Sequence, residues 1–335
     1  STVMHRRTGR KSRKEEEEVR QKLTPEKEHQ VLDRCYFRCR LGFHPTIWQW
    51  KEVALAIVQK RKPHKTLGKL WERKFKKRHP EAKSRFSSQL DFVCNTKGNN
   101  VELITRFFEE YISIIQDFKI KPQNTYNIDE IGFRIICNID GSQEFITVIE
   151  RVCGDGSTLD PTIILKAEEF VAEWFHKLPH IPENILFGRS HNGWTGKHMA
   201  KKFLERNFGN GSITDQKAKE TNDYRLLIFD CHSSHVNLTF LEYCINHKII
   251  PFCLPPHTMH RLQPLDVAIF SPYKHFYQKG LTKRFENHDY GIGKDNFYEV
   301  LVAARRQAFT TKNIISGFWN TGLIPTDGTI VLRKL

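Results

Sequence analysis

A chain of 335 residues with 39% hydrophobic content is long enough for two domains and apolar enough for at least one full core, so it should be globular. No run approaches 18 apolar residues, and the basic, polar start lacks the apolar stretch of a secretory signal, so neither a transmembrane helix nor export is expected; a reducing intracellular compartment is. Residues 1–90 carry 25 Lys/Arg against 10 Asp/Glu and residues 91–335 carry 28 against 28, so the whole net charge of +15 lies in the first quarter. A polyanion-binding module joined to a neutral domain of another purpose explains that split better than a solvated basic surface does.

In chain order, Arg6–Lys14 reads RRTGRKSRK, a linker that suits a phosphate backbone or a nuclear import signal. Thr24-Pro25-Glu26 marks a helix start, with Thr24 as cap and Pro25 at the first helical position. Three helices are predicted at 25–40, 45–60 and 66–79, the spacing of a small three-helix unit. In the third, Leu67, Leu70, Trp71 and Phe75 form one apolar face, and Lys69, Arg73, Lys76 and Lys77 fall opposite. Such a helix can lie in a DNA groove, although a solvated polar face would look similar. Trp48, Trp50 and Trp71 read as core rather than as base-stacking platforms.

A helix over Asn99–Phe118 is expected to join the two domains. From Thr125 the texture turns to short β-rich runs at Tyr126–Ile128, Phe133–Cys137, Glu144–Val152, Thr162–Leu165, Arg225–Phe229 and Ile249–Leu254. A helix over about His235–Asn246 makes the last two a β-α-β unit, and the whole reads as an α/β sheet with packed helices. The last 50 residues return to helical spacing and should close the core.

Eight cysteines stand at 35, 39, 94, 137, 153, 231, 244 and 253 without one CxxC pair, which favours buried free thiols over zinc or a disulfide frame. His232 with His235, and His257 with His260, form two H-x-x-H pairs that would suit zinc but serve equally as hydrogen-bonding groups. Asp129 and Asp230 each end a predicted strand, where sites of α/β sheets are built, and Asp266 follows 36 positions later at a predicted helix start. Three carboxylates brought together would repel one another unless a hard divalent cation neutralised them. On spacing alone, caps or turn formers remain an open alternative.

The motifs around these aspartates resemble those of pogo-type transposases in the mariner superfamily. Asn127-Ile128-Asp129-Glu130-Ile131-Gly132-Phe133 resembles their N-x-D-E-x-G-F, and Leu226 to His235 resembles their L-L-x-x-D-G-H-x-S-H. Leu254 to Val267, LPPHTMHRLQPLDV, is similar to their L-P-P-H-x-x-H-x-L-Q-P-L-D-V. Gly68-Lys69-Leu70-Trp71 with Arg78-His79-Pro80-Glu81 resembles the end of a centromere protein B-type helix-turn-helix, and the segments around Ala303-Ala304-Arg305 and Thr321 to Pro325 resemble the family's tail. The likeness spans nearly the whole chain.

This resemblance implies an RNase H-like α/β catalytic domain preceded by an all-α helix-turn-helix domain. It implies a basic linker and remnant of a first helix-turn-helix at 1–19, the helix-turn-helix at 20–90 and a helical connector at 91–124. The endonuclease domain would then occupy 125–280 and a helical tail 281–335. It places the acidic triad on Asp129, Asp230 and Asp266, holding Mg2+ or Mn2+ for phosphodiester cutting and strand transfer. Glu130 points to the other side of its strand and is left out. Double-stranded DNA is the expected partner, contacted by Lys69, Arg73, Lys76 and Lys77 and by Arg10, Lys11, Arg13 and Lys14; the nucleus is the expected compartment and a homodimer a candidate assembly. Cys231 stands where the family has glycine, and Ser1–Arg6 reads as the end of a helix-turn-helix whose start is missing. The rival reading is a non-catalytic, sequence-specific DNA-binding protein derived from a transposon.

Overall fold

The computed structural model describes residues 22–43, 47–60, 63–82, 101–136, 143–176, 181, 185–190, 197–219, 223–230, 238–256, 258–288 and 292–335. They divide into two compact units, Ser1–Thr96 and Lys97–Leu335.

The first unit is built from α1 (Pro25–Arg40), α2 (Ile47–Gln59) and α3 (Trp71–Arg78). Val31, Leu32 and Cys35 of α1 meet Trp50, Val53, Ala54 and Ile57 of α2 and Trp71 and Phe75 of α3 in one core. Phe75 is its centre, with its ring 4.8 Å from Trp71 and 5.8 Å from Trp50. Burial pushes the Cys35 thiol up to about 12, which leaves it a packing group.

Three expectations are corrected here. The Thr24 hydroxyl makes no cap hydrogen bond; its carbonyl accepts from the Glu28 N–H at 3.0 Å instead. The third helix begins at Trp71 rather than 66, because Gly68 holds little helical preference and its carbonyl closes a turn onto the Trp71 N–H at 3.0 Å. Leu70, at that turn, is therefore 61% exposed instead of packing with Leu67. Trp48 is not core: it stands at the start of α2, 64% exposed, with the Lys51 ammonium 5.6 Å from its ring centre.

A polar knot closes the unit. Glu28 of α1 is buried, and Arg78 Nε donates to its carboxylate at 2.9 Å while a His79 ring nitrogen lies 3.0 Å from the same oxygen. The other nitrogen of His79 lies 3.0 Å from Glu81. A buried carboxylate is tolerable only when its charge is met in this way.

The second unit opens with α4 (Val101–Phe118), whose Ile104, Phe107, Phe108, Tyr111 and Ile114 are buried. The expected connector is thus part of a core, and its Tyr111 hydroxyl donates to the Leu323 carbonyl at 3.2 Å. Among the described residues six strands follow: β1 (Thr125–Ile136), β2 (Gln143–Cys153), β3 (Thr162–Lys166), β4 (Leu186–Ser190), β5 (Arg225–Asp230) and β6 (Ile249–Leu254). They form one sheet in the order β4-β3-β2-β1-β5-β6. β1, β2 and β3 run antiparallel in turn, while β5 and β6 continue parallel to β1. This is the expected RNase H-like arrangement, with β4 added parallel to β3 at the edge.

The two predicted strands at 126–128 and 133–137 are one strand. Asp129, Glu130 and Gly132 are poor strand formers, but eleven residue pairs with β2 override local preference. The sequence reading missed β4, since Leu-Phe-Gly-Arg-Ser shows no alternation and needs only one partner. Along β1, Ile131, Phe133 and Ile135 are buried, and Gly132 and Arg134 are exposed. β5 is apolar and buried from Leu226 to Phe229, as a strand covered on both faces must be.

Helices cover the sheet. α5 (Glu173–His176), α6 (Lys197–Phe208) and α7 (Ile213–Lys219) precede β5, and α8 (Leu238–Asn246) joins β5 to β6 as predicted. After β6 come α9 (Met259–Leu262), α10 (Pro264–Ala268), α11 (Phe270–Glu286), α12 (Phe297–Ala308), α13 (Thr311–Asn320) and α14 (Thr329–Leu332). Tyr273 and Tyr277 of α11 set their rings 4.7 Å from Phe133, so α11 lies over the buried side of β1. Cys35, Cys39, Cys153 and Cys244 are free thiols, but Cys253 is disulfide-bonded, against the expectation of free thiols throughout.

Candidate active site and nucleic-acid interface

Pairing between β1 and β5 sets Asn127 beside Ile228. Asp129 and Asp230 each lie two residues beyond this last pair of the ladder, so both stand at the same end of the two parallel strands. The parallel ladder thus brings Asp129 and Asp230 to one end of the sheet, although 101 positions separate them in sequence.

The third acid is brought in by α10. Asn127 is fully buried, its Nδ2 donates to the Ile228 carbonyl at 3.1 Å, and its Oδ1 accepts the Leu265 N–H at 3.1 Å. Asp266 is the next residue. Burial, then the charge of Asp266, then those of Asp230 and Glu130, hold the Asp129 carboxyl well above the usual range, against a 2.8 Å hydrogen bond that its Oδ1 accepts from the Glu130 N–H. Asp266 is also raised, by burial and by Asp230, while Lys274 and His260 pull it down. The three carboxylates therefore act on one another. Among the described residues, no three His, Cys, Asp or Glu side chains close into a ready ligand cluster.

A fourth carboxylate stands next to this group. Glu150 of β2 lies opposite Asp129 in register and is wholly buried. It is already claimed: Arg305 Nε donates to both of its oxygens at 3.0 Å, and Arg305 Nη2 bonds Thr158 at 2.8 Å and the Leu159 carbonyl at 2.7 Å. Sequence reasoning found neither the Glu150–Arg305 pair nor the roles of Asn127 and Lys274. The partners of the first three lie 101 to 155 positions away, beyond any local pattern. Lys274 stands eight positions after Asp266, about two helical turns, on the helix that follows.

His260 is exposed, and its Nε2 accepts from Arg261 Nε at 3.0 Å. His232, His235, His257 and Cys231 lie outside the described residues, as do Arg10, Lys11, Arg13 and Lys14. In the first unit Arg73 and Lys77 are exposed on α3, and Lys69 is exposed in the turn before it. Lys76 differs, because Glu72 one turn earlier holds its ammonium at 2.9 Å. Arg78, on the same helix, turns toward Glu28.

Residues 142–318 match the family model described as DDE superfamily endonuclease. The MFS-type transporter clz9 of Cochliobolus lunatus is 31% identical over 236 residues, covering 65% of this chain and 25% of that protein. The chain thus spans about a quarter of that relative, whose name concerns that protein alone; among the described residues here no helix is long and apolar enough to cross a membrane. Among solved structures, the catalytic domain of Mos1 mariner transposase is similar at 10% identity and a TM-score of 0.33, covering 65% of this chain and 94% of that one. A pre-cleavage Mos1 transpososome is similar at 10% identity and a TM-score of 0.34, covering 88% and 98%.

Proposed function

The chain belongs to the DDE superfamily of endonucleases, and on that premise we propose that it is a pogo-type DNA transposase. It binds duplex DNA through its basic helical unit and cuts and joins strands at Asp129, Asp230 and Asp266. The observation that supports this reading is the β1–β5 ladder, which ends two residues short of both Asp129 and Asp230, with the segment of Asp266 tied to it through the Leu265–Asn127 hydrogen bond.

The donor set suits a hard cation: carboxylate oxygens on half-exposed side chains, charged against one another. Magnesium or manganese held there would lower the pKa of a bound water and neutralise charge growing on phosphate oxygens. The protein's own part is placement. Two acids sit on adjacent strands of a rigid sheet, and the third sits on a short helix tied to that sheet. Arg305 neutralises Glu150, so the acids that remain for metal are the three and not four. Exposed Lys274, beside Asp266, is suited to holding a DNA phosphate.

DNA affinity is assigned to Lys69, Arg73 and Lys77, with Lys76 secondary, and to Arg10, Lys11, Arg13 and Lys14. The helix-turn-helix assignment for 20–90 and action in the nucleus rest on the basic residues and on the motif around Gly68–Glu81. The test is a nicking assay of the full chain on end-bearing duplex DNA with manganese. Metal-dependent nicks are expected; DNA binding without nicking would favour the non-catalytic DNA-binding reading.

A further inference from the structure

Asn127 makes a pair of contacts that the proposed chemistry does not require but that all three acids share. It lies two residues before Asp129, the Ile228 carbonyl that it bonds lies two residues before Asp230, and the Leu265 N–H that it accepts lies one residue before Asp266. One planar amide therefore touches every segment that carries a carboxylate, across sequence separations of 101 and 138 positions. Its orientation is dictated by its partners. A carbonyl can only accept and an N–H can only donate, so the amide nitrogen must face Ile228 and the oxygen must face Leu265.

The start of α10 shows why this amide is needed. The first helical residue is Pro264, which has no N–H, and Gln263 at the cap position offers no side-chain hydrogen bond to the helix. The Leu265 N–H would be a buried orphan without a partner from elsewhere. Asn127 supplies it from β1, and in doing so fixes how far the Asp266 backbone stands from the strand pair. Gln263 does not share the task, since both polar atoms of its own buried amide lack a protein partner.

We propose that Asn127 is the positioning residue of the acidic site, setting the distance of Asp266 from Asp129 and Asp230 without itself touching metal or DNA. The proposal rests on the metal-binding reading of the three aspartates. Its test compares Asn127→Leu with Asn124→Leu in the full chain. Asn124 is an equally buried asparagine in the 3-10 turn Pro122–Asn124 just ahead of β1, donating to Asp223 at 3.2 Å, and it serves as control for the general cost of losing a buried amide.

Two readouts are taken: hydrogen exchange in the peptide over residues 259–270, and manganese affinity by calorimetric titration. Asn127→Leu should speed exchange in that peptide and weaken manganese binding about tenfold or more, as loss of a group that orients a metal ligand does. Asn124→Leu should do neither. If Asn127→Leu misfolds, Asn127→Gln keeps both hydrogen-bonding groups but displaces them by one methylene; it should still speed exchange in 259–270 and weaken manganese binding, and parent-like values for both would overturn the proposal. Unchanged exchange in Asn127→Leu, or an equal loss of affinity in Asn124→Leu, overturns the proposal. Asp230→Asn separates the two levels. If that variant binds manganese like the parent, the metal reading fails, and the exchange data alone decide whether Asn127 holds the segments together.

Discussion

The two units of this chain use charge in opposite ways. In the first, the buried carboxylate Glu28 is fully met by Arg78 and His79, while Lys69, Arg73 and Lys77 are left outside. In the second, Glu150 is met by Arg305, yet Asp129, Asp230 and Asp266 are set against one another. Surface cations need no precise placement to attract a polyanion. Mutually repelling carboxylates are costly and are held only where the sheet and Asn127 fix them. The difference separates a unit that binds by composition from one that acts by geometry.

The comparison is broken most severely at Asp230. Asp230→Ala should lower metal-dependent cleavage about 10^3-fold or more, in line with the loss of a charge-stabilising group from a phosphoryl-transfer centre. DNA affinity, measured by fluorescence anisotropy, should stay within twofold of the parent. A parallel fall in both would mean that the acids serve binding.

The same contrast explains what could be read in advance. Asp129 and Asp230 follow apolar runs and Asp266 precedes a helix, so local pattern and motif located all three. The partners of Asn127, Glu150 and Arg305 are joined by strand register and helix packing, which leave no periodic trace. Local preference also misled at Asp129–Gly132, where pairing with β2 carries the strand through, and at Gly68–Leu70, where a turn delays the helix. Residue type alone points Trp48 to a core, but its place at the start of α2 leaves it in solvent.

Next in size is Glu28→Ala, which leaves Arg78 and His79 without their shared acceptor and should destabilise the first unit by about 3 kcal/mol. Denaturant unfolding of the full chain, followed by exchange in peptides of each unit, should show the loss in α1–α3 and no change in the sheet. Equal loss in both would dissolve the distinction between two compact units.

Replacing Lys69, Arg73 and Lys77 together by alanine should flatten the plot of log K against log salt by about 2.7 units, at roughly 0.9 per phosphate contact. Lys76→Ala should change that slope much less, since Glu72 already holds its charge. An unchanged slope in the triple variant would move the contact to Arg10, Lys11, Arg13 and Lys14.

The smallest effect is on stability. A carboxyl whose folded pKa is raised favours folding below its unfolded value, near pH 4, and that contribution is lost as pH rises through the folded value. Above about pH 4 the raised Asp129 carboxyl thus weakens the metal-free protein. Asp129→Asn should raise the metal-free Tm by roughly 2–4 °C at pH 7, and the gain should vanish below about pH 4. Calorimetry across that range checks it; a lower Tm at pH 7 would mean that the carboxylate is satisfied as it stands.

The central claim is that Asp129, Asp230 and Asp266 form one divalent-cation site, and anomalous diffraction from crystals grown with manganese tests it directly. The account predicts one or two manganese peaks with carboxylate oxygens of all three aspartates as ligands, at about 2.0–2.2 Å. Manganese bound elsewhere, or bound by Asp129 and Asp230 with Asp266 turned away, would contradict it.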